Sequence, residues 1–179
     1  EGAAAYAAYV AAHGGADTSA TLEAFFAERE RLFARRVTRH LREDLKCRAL
    51  LTNANCGPHF TPMQFTREAC YDYVDDHFYV DHPQFLDQRW RLPSKCENGN
   101  PIRTNVRHLM KRAYTRFAGQ PMCITEWNFS GPGMYRGVGG VLTGAFAALQ
   151  DWSGVWRFAY SHNEPGLRSE VVGVPGYFD

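Results

Sequence analysis

The chain has 179 residues, enough for one domain with a substantial core. An apolar content of 45% against 22% charged residues excludes a disordered chain, and a formal net charge of +1 gives no electrostatic reason to expect nucleic acid or an anionic membrane. No apolar run approaches the ~18 residues of a membrane-spanning helix.

The Ala-rich opening, Ala3-Ala4-Ala5-Tyr6-Ala7-Ala8, lacks the basic leader of a signal peptide. Leu22, Phe25, Phe26, Phe33, Val37, Leu41 and Leu45 recur at helical spacing behind the capping candidates Asp17, Thr18 and Ser19, which predicts a long amphipathic helix over roughly 20–46. Its basic residues, Arg29 to Arg48, are interleaved with Glu28, Glu30, Glu43 and Asp44 and read as a solvated face. Ala49-Leu50-Leu51-Thr52-Asn53-Ala54-Asn55 follows as a buried strand stopped by Cys56-Gly57-Pro58. A short helix near 62–70 leads to a strand over 73–80. The stretch 81–102, with Pro83, Pro93, Asn98-Gly99-Asn100 and Pro101, is a long irregular segment of the kind that forms lids or insertions. Val106, Leu109, Met110, Ala113 and Phe117 mark a helix over 103–118, and Met122 to Asn128 form the next strand. Val138, Val141, Leu142, Ala145, Ala148 and Leu149 mark a helix rich in small residues, and Gly154 to Tyr160 make the last strand. Four apolar strands alternating with helices predict an α/β fold with a parallel sheet.

Five cysteines, Cys47, Cys56, Cys70, Cys96 and Cys123, show no C-x-x-C spacing, so no zinc framework is expected. One disulfide, for example Cys70 with Cys96, stays open, as does the compartment, with an extracellular or periplasmic one favoured. Cys123, inside an apolar strand, reads as a small buried hydrophobe.

The chemistry gathers at two strand ends. The run Pro121-Met122-Cys123-Ile124-Thr125 ends abruptly in Glu126, Trp127 and Asn128, and the strand over 73–80 ends in Asp75, Asp76, His77, Phe78 and Tyr79. In parallel α/β folds, the C-terminal tips of strands carry the reacting groups. Alternation puts Tyr73, Asp75, His77 and Tyr79 on one face, and Ile124, Glu126 and Asn128 on one face. His77 and Tyr79 then flank Glu126, and a tyrosine hydroxyl donating to a carboxylate holds it ionised and oriented, as a nucleophile requires. Trp156, Phe158 and Tyr160 share one parity and offer a flat stacking platform. Asp76 and His77 fall on opposite faces, which speaks against a metal site. Asn53 and Asn55 at the end of the first predicted strand are candidates for loop capping or sugar contact, and Glu164 is a fallback second carboxylate.

On these residues the chain resembles the clan A glycoside hydrolases, retaining (β/α)8 TIM-barrel enzymes. Ile124-Thr125-Glu126-Trp127-Asn128 is similar to the clan's seventh strand, whose terminal Glu is the nucleophile. His77-Phe78-Tyr79 is similar to the H-x-Y of the sixth, and Tyr160 or Trp156 matches the eighth-strand aromatic. The resemblance covers roughly 22–163 and implies a retaining glycosidase for a β-linked sugar. It gives Glu126 as nucleophile, Tyr79 as the residue orienting it, and His77, Asn128, Tyr160, Trp156 and Asn55 as substrate contacts, with no cofactor. The clan's acid/base, a Glu after Asn at the end of the fourth strand, has no counterpart upstream of the helix over 20–46, where Glu1 is followed by Gly-Ala-Ala-Ala. A complete barrel takes about 250 residues, so the chain is expected to be one partial domain, the C-terminal half-barrel of an excised or processed protein. The partners expected are a carbohydrate substrate and either the missing half or a second copy. The competing expectation is a half-barrel that binds carbohydrate, or serves structurally, without catalysis.

Overall fold

Two units account for the residues described in the computed structural model, 1–53, 61–103, 107–131 and 133–159, and the boundary between the units falls between Val74 and Asp75. The first is helical. Helix α1 (Gly2–Ala12) forms from the Ala-rich opening, and its Tyr6 and Tyr9 rings stand edge-on to Phe25 of helix α2 (Ser19–Arg39) at 5.4 and 5.3 Å. Thr18 caps α2, its hydroxyl oxygen accepting from Thr21 N–H at 3.2 Å, which satisfies one of the first-turn amides. The helix ends in a π-helical turn (His40–Asp44). There Arg42 collects the carbonyls of Cys47 and Ala49 and pairs with Asp72 at 2.6 Å, clasping the chain that follows. Helix α3 is Thr61–Cys70.

The predicted long helix therefore forms, but most of its apolar stripe is not buried. Phe25, Ala27 and Ala34 are buried, while Leu22, Phe26, Phe33, Val37 and Leu45 are exposed. The predicted strand over 49–55 is corrected as well. Its described part, 49–53, is not in a strand, and Leu50 is 68% exposed. Those residues are tied to the turn before the next strand instead: Asp72 accepts from Leu51 N–H at 2.7 Å, and Thr52 donates to the Tyr73 carbonyl. An exposed Leu50 cannot sit in the two-sided core that a central parallel strand needs.

The second unit is α/β. Strands β1 (Val74–Val80), β4 (Met122–Phe129) and β5 (Gly154–Arg157) form a three-stranded parallel sheet in the order β1-β4-β5. Helix α4 (Arg107–Tyr114) connects β1 to β4, and helix α5 (Gly139–Leu149) connects β4 to β5. The long segment after β1 contains a small antiparallel hairpin, β2 (Gln84–Phe85) with β3 (Ser94–Lys95). On the helix-facing side of β1, Val74, Asp76, Phe78 and Val80 are all buried. Asp76 is anchored there: Thr115 donates to it at 3.1 Å and Arg112 lies 3.4 Å away, so this buried carboxylate has a charged partner near the end of α4. Helix α5 buries Gly139 and Thr143, with Gly139 close against the Phe129 ring of β4, but the expected packing face is corrected: Val138, Val141, Ala145, Ala148 and Leu149 are exposed.

The described cysteines Cys47, Cys70, Cys96 and Cys123 are free thiols, so the Cys70–Cys96 pairing raised as an example is not formed; Cys56 lies outside the described residues.

Candidate active site

Strand β4 does not alternate strictly. Cys123 pairs in register with Gly154 and Ile124 with Val155, but Arg157 pairs with Trp127, so β4 advances three residues while β5 advances two. Such a bulge sets two residues against one and shifts the phase of every side chain beyond it. Met122, Ile124, Trp127 and Phe129 accordingly line the buried helix side, with Trp127 stacked on Phe78 at 6.1 Å. Thr125 and Glu126 both turn to the other face, opposite Trp156. The expected common face for Ile124 and Glu126 is thus corrected: the bulge separates them.

The same face of β1 presents Asp75, His77 and Tyr79 at the level of this bulge. Tyr79 donates its hydroxyl to Glu126 Oε1, and His77 Nδ1 stands 3.3 Å from Glu126 Oε2, so both oxygens of one carboxylate are met. Behind them runs a second set of bonds. Thr125 donates its hydroxyl to Asp75 Oδ1 at 2.6 Å, and its backbone N–H reaches the same oxygen at 3.3 Å. With that hydroxyl proton committed, the Thr125 oxygen accepts from His77 Nε2–H at 2.9 Å, which fixes a proton on that ring nitrogen. Asp75, Thr125, His77, Glu126 and Tyr79 therefore form one continuous polar row across two neighbouring strands. Asp75 is buried and Glu126 is partly open, so the row runs from the sheet interior toward solvent. Cys123 lies at the inner end. Burial, and secondarily the Asp75 carboxylate, pushes its thiol above the usual thiol range.

The structure thus brings Glu126, Tyr79 and His77 together. Asn128 is adjacent but fully buried: its amide donates to the Phe158 carbonyl at 2.7 Å, and its oxygen accepts from Phe129 N–H and Arg157 Nε, tying β4 to β5. Trp156 is 54% exposed on β5, its ring folded over Gly154, where a Cβ would lie 2.4 Å from the ring. Phe158 is also exposed. Asn53 belongs to the helical unit, where its amide donates to the Tyr71 hydroxyl at 3.2 Å. Tyr160, Asn55 and Glu164 lie outside the described residues. Sequence reasoning missed Thr125, because a bulge has no signature in a run that otherwise alternates.

A carboxylate that accepts from a tyrosine hydroxyl and has an imidazole nitrogen at 3.3 Å, in the C-terminal half of a parallel strand, is equipped for nucleophilic attack or for binding a polar ligand. Comparison with known proteins found no matching family model, no significantly similar curated protein and no significantly similar solved structure.

Proposed function

We propose that Glu126 is the nucleophile of a retaining glycosidase that cleaves a β-linked glycoside, and that this chain is the C-terminal half of a clan A (β/α)8 barrel. The observation that carries this reading is the setting of Glu126: the Tyr79 hydroxyl donates to one carboxylate oxygen, and His77 Nδ1 lies 3.3 Å from the other, where a ring carrying protons on both nitrogens pairs with it. The chain order of the sheet supports it too, since successive parallel strands joined by helices lie side by side, the way a barrel winds.

In the reaction, a Glu126 oxygen bonds to the anomeric carbon as the glycosidic C–O bond breaks, and the departing oxygen takes a proton from a second carboxylic acid. Water then attacks the anomeric carbon, gives its proton to that same second carboxylate, and releases Glu126 as a free carboxylate. Tyr79 fixes the rotamer of Glu126 before attack, and no cofactor takes part. A retaining site needs its two carboxyls about 5–5.5 Å apart. No Asn-Glu stands ahead of α2 in this sequence, so on this reading the acid/base is assigned to the preceding half of the barrel. Without that half, the isolated chain should be inactive and should pair with it or self-associate through open sheet edges.

The test is Glu126→Gln in the full-length protein, assayed on activated aryl β-glycosides. Turnover should fall by ~10³-fold or more with the fold intact. Near-normal turnover in that variant would remove the proposal. Sugar binding with no turnover even in the unmutated protein would favour a non-catalytic carbohydrate-binding half-barrel.

A further inference from the structure

A line of aromatic rings leads away from Glu126 into the segment after β1. Tyr79, which holds the carboxylate, lies edge-on to His82 with ring centres 6.0 Å apart. His82 lies edge-on to Trp90 at 5.9 Å, and Trp90 meets Phe85 of the β2–β3 hairpin at 5.3 Å. Exposure rises along this line, from the half-buried Tyr79 to the exposed His82 and to Trp90, which is 49% exposed. The Arg89 guanidinium lies 5.3 Å over the Trp90 ring, leaving a large part of the indole surface open. Trp90 itself has φ +65°, a left-handed conformation that a bulky side chain rarely adopts and that clusters at ligand clamps and other functional sites. Nothing in the chemistry proposed for Glu126 uses the rings of His82, Trp90 or Phe85.

We propose that Trp90, backed by Phe85 and His82, is a stacking subsite for a further sugar unit of a β-linked oligosaccharide whose reacting unit sits at Glu126. This rests on the glycosidase reading and narrows its substrate class from a simple glycoside to an oligo- or polysaccharide. A β-linked pyranose presents an apolar C–H face and a rim of hydroxyls. An indole face bordered by an imidazole and a guanidinium matches both, the ring covering the C–H face and the polar groups meeting the rim. Continuity decides the occupant: the ring line starts on the residue that orients the nucleophile, so a ligand along it extends from the reacting unit.

The test uses the full-length protein with cellohexaose, laminarihexaose and mannohexaose as probes. Binding is measured by calorimetry on Glu126→Gln and on Glu126→Gln/Trp90→Ala, and hydrolysis on the unmutated protein, Glu126→Gln and Trp90→Ala. The hexasaccharide bound best should weaken about tenfold on loss of Trp90, the size implied by leaving tens of square ångströms of apolar ring face without a partner. Trp90→Phe should recover most of that loss, and Trp90→Ala should lose more kcat/KM on the hexasaccharide than on an aryl monosaccharide. If no hexasaccharide binds, or if binding ignores Trp90 while hydrolysis still depends on Glu126, the subsite is overturned and the glycosidase reading stands or falls by itself. If binding depends on Trp90 but no hydrolysis depends on Glu126, the sugar strip is upheld and the glycosidase reading is the one that fails.

Discussion

Replacing Thr125 by Val keeps the shape of the side chain and removes one hydroxyl, which serves two neighbours. That hydroxyl donates to Asp75 at 2.6 Å and accepts from His77 at 2.9 Å. Asp75 is 4% exposed, so water cannot readily replace the lost donor. A hydrogen bond to a charged group contributes about 1.5–3 kcal/mol, and a neutral one about 0.5–1.5 kcal/mol. The Thr125 backbone N–H still reaches the same Asp75 oxygen at 3.3 Å, which keeps the loss at the charged acceptor near the lower end. The expected destabilisation is about 2–3 kcal/mol, well beyond the ~0.5 kcal/mol of an ordinary surface change. The assay is a denaturation cycle on the unmutated chain, Thr125→Val, Asp75→Asn and the double variant. Because Asp75→Asn leaves a neutral, weaker acceptor for the bond that Thr125→Val removes outright, the double variant should cost about 1–2 kcal/mol less than the sum of the singles. Additivity within about 0.5 kcal/mol, or a Thr125→Val variant as stable as the parent, would refute the reasoning that the bulge aims Thr125 at Asp75.

Two glycines of α5 should respond in opposite directions to the same substitution. A Cβ on Gly139 would lie 2.7 Å from Phe129 Cδ2, so Gly139→Ala overpacks a buried ring at about 1–3 kcal/mol, more than the helix-propensity gain of up to about 1 kcal/mol. Nothing lies within 4 Å of the corresponding point at Gly144, so Gly144→Ala should stabilise by about 0.5–1 kcal/mol; denaturation midpoints moving the same way would contradict the packing of α5 on β4. Alkylation of Cys123, followed by peptide mass spectrometry, should reach its half-maximal rate at a higher pH in the folded chain than in denaturant, and Asp75→Asn should bring that pH partly back. Since the folded thiol's pKa is raised, its contribution to stability is present below the unfolded pKa and is lost as pH rises through the folded one; an unshifted alkylation midpoint would contradict this.

Periodic apolar patterns carried most of the elements. The helices α2, α3 and α5 and the strands β1 and β4 fall close to where alternation or helical spacing puts them, although the apolar residues that marked α2 and α5, among them Phe33, Val37, Val141 and Leu149, are exposed. Helix α1 has no such pattern: a run of alanines favours helix by propensity without advertising a face. The residues 49–53 misled for the opposite reason, since a short apolar run is strand-like wherever it lies, and here Leu50 faces solvent. Alternation also placed Asp75, His77 and Tyr79 correctly together, and the contact of Tyr79 with Glu126 was legible from it. The orientation of Thr125 was not, because the bulge in β4 breaks the period at the residue preceding Glu126, and only the register with β5 reveals it. The ring line through His82, Trp90 and Phe85 was equally hidden, because it depends on the path of an irregular segment and a two-residue hairpin that no period encodes.

The central claim is that Glu126 attacks an anomeric carbon. Its most direct measurement is incubation of the full-length protein with activated 2-deoxy-2-fluoro β-glycosides, whose glycosyl-enzyme intermediates turn over slowly, followed by intact-mass and peptide mass spectrometry. The account predicts one added sugar mass per chain, located on Glu126 and absent in Glu126→Gln. A stable label on any other carboxylate, with Glu126 unmodified, would contradict it.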